Sequence, residues 1–196
     1  MKENDTSIDV IAIATELFEM KAERKEPNVP YSKEDYAQRL APFGCKETEI
    51  ALTQDDLTDK ICVLIGNFHG HFNDKNNKQE KMPTKLRVIG GDATFCTLQE
   101  IKDLGNLEVI IGNAYFQYSK IGDLRNLVRI WGNAHFEYSN IEDLKELEEI
   151  RGYANFEGSP VTGLGKLKKI MGSAYISSNQ RALGEELNRR EINVHL

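Results

Sequence analysis

A 20-residue unit recurs without a gap through the second half of the chain. Leu107–Asn126, Leu127–Glu146 and Leu147–Lys166 align end to end. A further copy starts at Leu167 and decays after Asn179. An earlier one starts at Leu86 with one extra residue, which makes five copies. One unit of this length cannot enclose a core, so neighbouring copies must stack and bury a continuous one.

Each column of the alignment has a physical meaning. Leu107, Leu127, Leu147 and Leu167 share one column, and Ile89, Ile110, Ile130, Ile150 and Ile170 share another. Gly91, Gly112, Gly132, Gly152 and Gly172 follow, at a position where the backbone conformation or a close approach excludes a Cβ. Ala93, Ala114, Ala134, Ala154 and Ala174 then alternate with Phe95, Phe116, Phe136, Phe156 and Ile176 across one polar residue, the period-two signature of a strand with one buried face. Ser119, Ser139, Ser159 or Asn179 comes next. Ile101, Ile121, Ile141 or Val161 and then Leu104, Leu124, Leu144 or Leu164 complete the unit. A repeat of two helices does not fit in 20 residues, and the glycine inside every unit disfavours helix by about 1 kcal/mol.

The tail of each unit, as in Ala134-x-Phe136-x-x-Ser139-x-Ile141-x-Asp143-Leu144-x-x-Leu147, resembles the leucine-rich repeat of bacterial internalins. Ser or Asn stands in that family's Asn column, where the resemblance implies a side chain satisfying backbone groups in the turn. An I-x-G segment replaces the family's extra Leu before the strand. The short repeats are also similar to the L domains of receptor ectodomains and to repeats of bacterial and phage proteins. The resemblance covers a little over half the chain and implies a solenoid that binds another protein.

The region before the repeats reads as helical. Ser7–Arg24 places Ile8, Ile11, Ala12, Thr15, Phe18 and Ala22 on one face, with Asp5, Thr6 or Ser7 as a cap. Pro27 and Pro30 break the chain, and Ser32 opens a second helix that ends near Pro42–Gly44. Thr53 opens a third, in which Leu57, Ile61, Leu64, Ile65 and Phe68 form an apolar stripe. Asn73–Lys81 reads as a linker or long loop. Ala182–Glu191 is expected to form a helix over the far end, closed by Ile192–Leu196. The expected class is therefore α+β: a helical N-terminal region capping a curved leucine-rich-repeat β-solenoid. The expected divisions are 1–81 for the cap or small domain, 82–181 for the solenoid and 182–196 for the C-terminal cap.

Charge and cysteine content narrow the function classes. The net charge of the 196 residues is −6. Residues 1–81 carry 11 basic and 16 acidic side chains, and the rest carry 14 and 15, so the acidity sits in the first part. No basic stripe of the kind nucleic-acid binders use is visible. Cys45, Cys62 and Cys96 form no CxxC pair, which supports neither a zinc ribbon nor a redox motif. The first residues lack the layout of a signal peptide, and no apolar run is long enough for a membrane helix. The expectation is cytoplasmic residence.

One pattern suggests chemistry. His69 and His71, with Asp74 nearby, form a His-x-His pair plus a carboxylate that could hold a divalent metal in a hydrolase. His135 and His195 are isolated in the sequence and offer no further ligands. GxSxG, HExxH, P-loop and dinucleotide-binding motifs are absent. No catalytic residue, metal or cofactor is expected.

The strand face turned away from Ala and Phe carries more information. Asn113, Tyr115, Gln117 and Tyr118 occupy one repeat, and Asn133, His135, Glu137 and Tyr138 the next. Tyr153, Asn155, Glu157 and Tyr175 follow. Tyrosine gives large contact area at low entropic cost, and aromatic groups among amides and acids suit a protein interface. The expected function is a non-enzymatic protein-binding module using this concave face. One alternative is a small acidic inhibitor, of phage origin, that blocks a nucleic-acid-handling enzyme. The other is the metal-dependent hydrolase built on His69 and His71.

Overall fold

The computed structural model describes residues 50–54, 60–64, 67–69, 81–83, 86–96, 98 and 100–195. These form a parallel β-solenoid whose coils advance by about 20 residues per turn. Each coil contributes one short strand to each of two seven-stranded sheets. Sheet A runs in space from Ile50–Gln54 (β1) to Lys60–Leu64 (β2), Leu86–Ile89 (β4) and Val109–Ile110 (β6), then Arg129–Ile130 (β8), Glu149–Ile150 (β10) and Lys169–Ile170 (β12). Sheet B runs from Phe68–His69 (β3) to Ala93–Thr94 (β5), Ala114–Tyr115 (β7) and Ala134–His135 (β9), then Ala154–Asn155 (β11), Ala174–Tyr175 (β13) and Val194–His195 (β14). All pairings are parallel except β1 with β2. On a third flank, isolated bridges join Asp103 to Asp123 and Asp143 to Gly163.

The register repeats the columns of the sequence. Ile89, Ile110, Ile130, Ile150 and Ile170 pair in order across sheet A, and Ala93, Ala114, Ala134, Ala154 and Ala174 across sheet B. The Ile, Ala, Phe and Leu columns are buried and make one core running the length of the coil. Phe95, Phe116, Phe136 and Phe156 stack at centroid distances of 4.9, 5.3 and 5.1 Å. Those values match the strand spacing of about 4.8 Å, so parallel pairing and ring stacking share one repeat distance.

The glycine column forms the corner between the sheets. Gly132 N–H donates to Gly112 O at 3.0 Å, and the same bond recurs from Gly112, Gly152 and Gly172 to the glycine one coil before. A Cβ on Gly132 would lie 2.5 Å from Gly112 O, so the corner closes only without side chains. The serines line the following turn from inside. Ser159 Oγ donates to Phe156 O at 2.8 Å, and Ser139 Oγ accepts from Ile141 N–H at 3.4 Å. Ser119 Oγ, though buried, has no partner.

The far end is closed by Arg181–Arg189 (α1), close to the helix expected over Ala182–Glu191. Leu183 and Leu187 are buried against the last coil. Arg190 then donates to Leu167 O at 2.6 Å and to Gly165 O at 3.2 Å, covering carbonyls at the end of the stack.

The N-terminal side departs from expectation. Where the helix expected from Thr53 through Phe68 is described, it is chiefly strand: Lys60–Leu64 pairs antiparallel with Ile50–Gln54 and parallel with Leu86–Ile89. Phe68 and His69 pair with Ala93 and Thr94 in sheet B. Both sheets therefore extend ahead of the first repeat copy, and the helical cap is not found among the described residues of 50–69. Leu64 and Phe68 are buried, as the apolar stripe implied, but on strands. The helices expected over 7–24 and from Ser32 lie outside the described residues. Among the described residues, no helix is long and apolar enough to cross a membrane.

Candidate protein-binding face

The outward side of sheet B gathers most of the aromatic residues singled out in the sequence. Parallel pairing puts Tyr115, His135, Asn155, Tyr175 and His195 on successive rungs of one column. Asn155 has no ring, and Tyr153 supplies one from the neighbouring column. A ladder results: Tyr115 stacks on His135 at 4.9 Å, and Tyr153 meets His135 edge-on at 5.2 Å. Tyr153 meets Tyr175 edge-on at 5.7 Å, and Tyr175 stacks on His195 at 5.4 Å. His195, isolated in the sequence, is thus the last rung of the series that contains His135. Its signal was the spacing: Asn193-Val194-His195 falls 20 residues after Ser173-Ala174-Tyr175.

Polar contacts hold this ladder. Tyr153 Oη and His135 Nε2 are 3.0 Å apart, and His135 Nδ1 and Glu137 Oε1 are 3.1 Å apart. Glu137 Oε2 is buried without a partner, so its charge is incompletely compensated. The Tyr153 phenol is pushed up chiefly by burial and further by the charge of Glu137. The Cys96 thiol, which donates to Gln117 Oε1 at 3.2 Å, is also raised, first by burial and last by Glu137.

A second aromatic group lies at the turn leaving sheet B. Tyr118 and Tyr138 stack at 5.2 Å and are 64% and 57% exposed. Both hold φ near +55°, a left-handed conformation costly for a residue with a Cβ. The next copy has Gly158 at that position, also at positive φ, and the Tyr138 ring lies where a Cβ of Gly158 would stand. Tyr175 is 40% exposed.

The remaining expected positions divide into two kinds. Asn113 and Asn133 serve the corner: Asn113 Oδ1 accepts from Asn133 N–H at 2.8 Å, and Asn133 Oδ1 from Tyr153 N–H at 3.0 Å. Asp92 and Asn67 continue that ladder toward the N-terminal end. Asn155 Oδ1 accepts from Glu157 N–H at 3.0 Å, and the Glu157 side chain is exposed. His69 lies in β3, and its proposed partners His71 and Asp74 lie outside the described residues. No group of three potential metal ligands occurs among the described residues.

These features define a class: a parallel β-solenoid with coils of about 20 residues and an outward aromatic ladder on one sheet. The chain is 29% identical over 114 residues to the RNA polymerase sigma factor SigA of Mycoplasma genitalium. The matched stretch covers 58% of this chain and 21% of that protein, so the chain spans about a fifth of the relative's length. No protein-family model matches the chain, and no solved structure does.

Proposed function

We propose that this protein is a non-enzymatic binding module of the leucine-rich-repeat kind, and that the outward face of sheet B receives another protein. The observation that carries the reading is the ring ladder Tyr115–His135–Tyr153–Tyr175–His195, flanked by the exposed Tyr118–Tyr138 pair. Core stability does not account for it, because the core is already continuous behind the sheet. Rings locked against one another lose little further freedom on binding, which favours them as interface anchors. The strand columns following the internalin-like order support the leucine-rich-repeat assignment, with Ser119, Ser139 and Ser159 inside the turn.

The test is affinity capture from the native cell using the full chain and a Tyr115→Ala, His135→Ala, Tyr153→Ala variant. Loss of the captured partner is expected, by about 2 kcal/mol or more in binding for a true anchor, with a cooperative melt retained. Equal capture by both proteins would overturn the reading.

A further inference from the structure

The charges on the two sheets differ in kind. On sheet A, outward cations meet acids across coils: Arg87 with Glu108 at 3.2 Å and Lys168 with Glu148 at 2.9 Å. On sheet B, the outward strand positions and the turn positions 117–118, 137–138 and 157–158 carry Glu137 and Glu157 and no Lys or Arg. Among the described residues the Glu137 carboxylate pairs with His135, and one of its oxygens is buried without a donor. Glu157 makes no side-chain ion pair among the described residues. Beside these acids stand the exposed Tyr118 and Tyr138 rings and the half-exposed Tyr175.

We infer that the face takes an arginine- or lysine-bearing segment of a partner protein, the cations lying over the Tyr118–Tyr138 rings and against the exposed Glu157. This rests on the reading of sheet B as the binding face and adds the chemistry of its occupant. A ring face attracts a cation through its quadrupole, and nearby carboxylates reinforce that attraction. A guanidinium also stacks flat on tyrosine while donating to a carboxylate. An apolar helix would find no outward Leu, Ile or Val on this face, and a phosphate backbone would meet uncompensated acids.

The probes are a labelled peptide of alternating arginine and serine and its counterpart with glutamate for arginine, titrated into the full chain by fluorescence anisotropy. The arginine peptide is expected to bind, more weakly as salt rises, and the glutamate peptide to be excluded. Tyr118→Ala with Tyr138→Ala, and separately Glu157→Gln, should each weaken binding by about fivefold. Glu148→Gln with Glu149→Gln, on sheet A, should change it by less than about twofold. Circular-dichroism melts confirm that each variant is folded. Equal loss from the sheet A pair would reduce the binding to net-charge attraction and overturn the proposal, as would undiminished binding by the tyrosine variant. A captured partner whose contacting segment is neutral or acidic would overturn it too, yet leave the binding face itself intact.

Discussion

Tyr153 Oη lies 3.0 Å from His135 Nε2 although the two residues are 18 apart, two short of a coil. The strict register partner of His135 is Asn155. The Tyr153 side chain therefore crosses from its own column into the next and keeps the rings in contact where the repeat lacks one. The change from stacked to edge-on contact on either side of Tyr153 follows from that crossing.

Phe136 sits between Phe116 and Phe156, nearly parallel to both. Phe136→Ala should cost about 3–5 kcal/mol, because the coils on each side limit collapse into the space. Urea unfolding of the full chain checks this. A midpoint unchanged within error would mean that the column is not a stability element.

Glycine at the corner and glycine elsewhere should respond differently to the same change. A Cβ on Gly132 would lie 2.5–2.7 Å from the Gly112–Asn113 backbone, whereas one on Gly122 has only Asn140 O at 3.4 Å. Gly132→Ala is expected to cost about 1–3 kcal/mol or more, and Gly122→Ala to stay within about 0.5 kcal/mol. Paired thermal melts decide it, and equal shifts would refute the corner argument.

Arg190→Met should unbind α1 from the end of the stack. It removes donors to Leu167 O and Gly165 O and the contact with Glu186. The expected loss is about 1–3 kcal/mol. Faster hydrogen exchange in 181–195 than in 107–160 would locate it, while a uniform change would place the effect elsewhere.

Two ion pairs between coils make stability depend on acidity. At Asp123, burial raises the carboxyl, but the Lys145 ammonium and the Arg125 N–H and charge outweigh it and leave it lowered. At Glu148 the bond from Lys168 is the largest influence and also lowers it. A carboxyl lowered in the folded state stabilises fully above its unfolded value, about 3.9–4.3, and that contribution fades as pH falls through the folded value. Lys145→Met and Lys168→Met should each cost less than about 1 kcal/mol at pH 7, these pairs being well exposed, and progressively less as pH falls through the lowered folded values. A deficit that persists undiminished in acid would show that the lysines act through packing.

The coil was legible in the sequence because stacking turns each column into a ladder, and ladders demand one residue type at one spacing. Sheet A was not. In the last four copies its strands, such as Arg129–Ile130, are two residues long, and the Leu and Ile columns beside them stand three apart, so no period-two alternation appears. The segment from Thr53 to Phe68 misled because Leu64 and Phe68 are buried in either conformation. Their strands are set by pairing with Leu86–Ile89 and Ala93–Thr94, contacts that local periodicity does not contain. The rings of Tyr115, His135, Tyr153 and Tyr175 lie together on the outward side of sheet B. The corner role of Asn113 and Asn133 was missed, although the recurring Gly-Asn dipeptide carried it. A short polar side chain beside a glycine corner reaches the backbone of the next coil.

A parallel coil has no inherent length. The edge left by one turn is a template for the next, and copies joined end to end through such edges would grow into an open filament, because the joining operation never closes on itself. The helix Arg181–Arg189 interrupts that arithmetic. It buries Leu183 and Leu187, turns Arg181, Glu185, Asn188 and Arg189 to water, and leaves Arg190 on the carbonyls a further coil would have used. This short segment stands where a further coil would continue past Leu167, while sheet B runs one strand on, to Val194–His195; a chain lacking the helix would carry, in its last coil, the seed of a fibre.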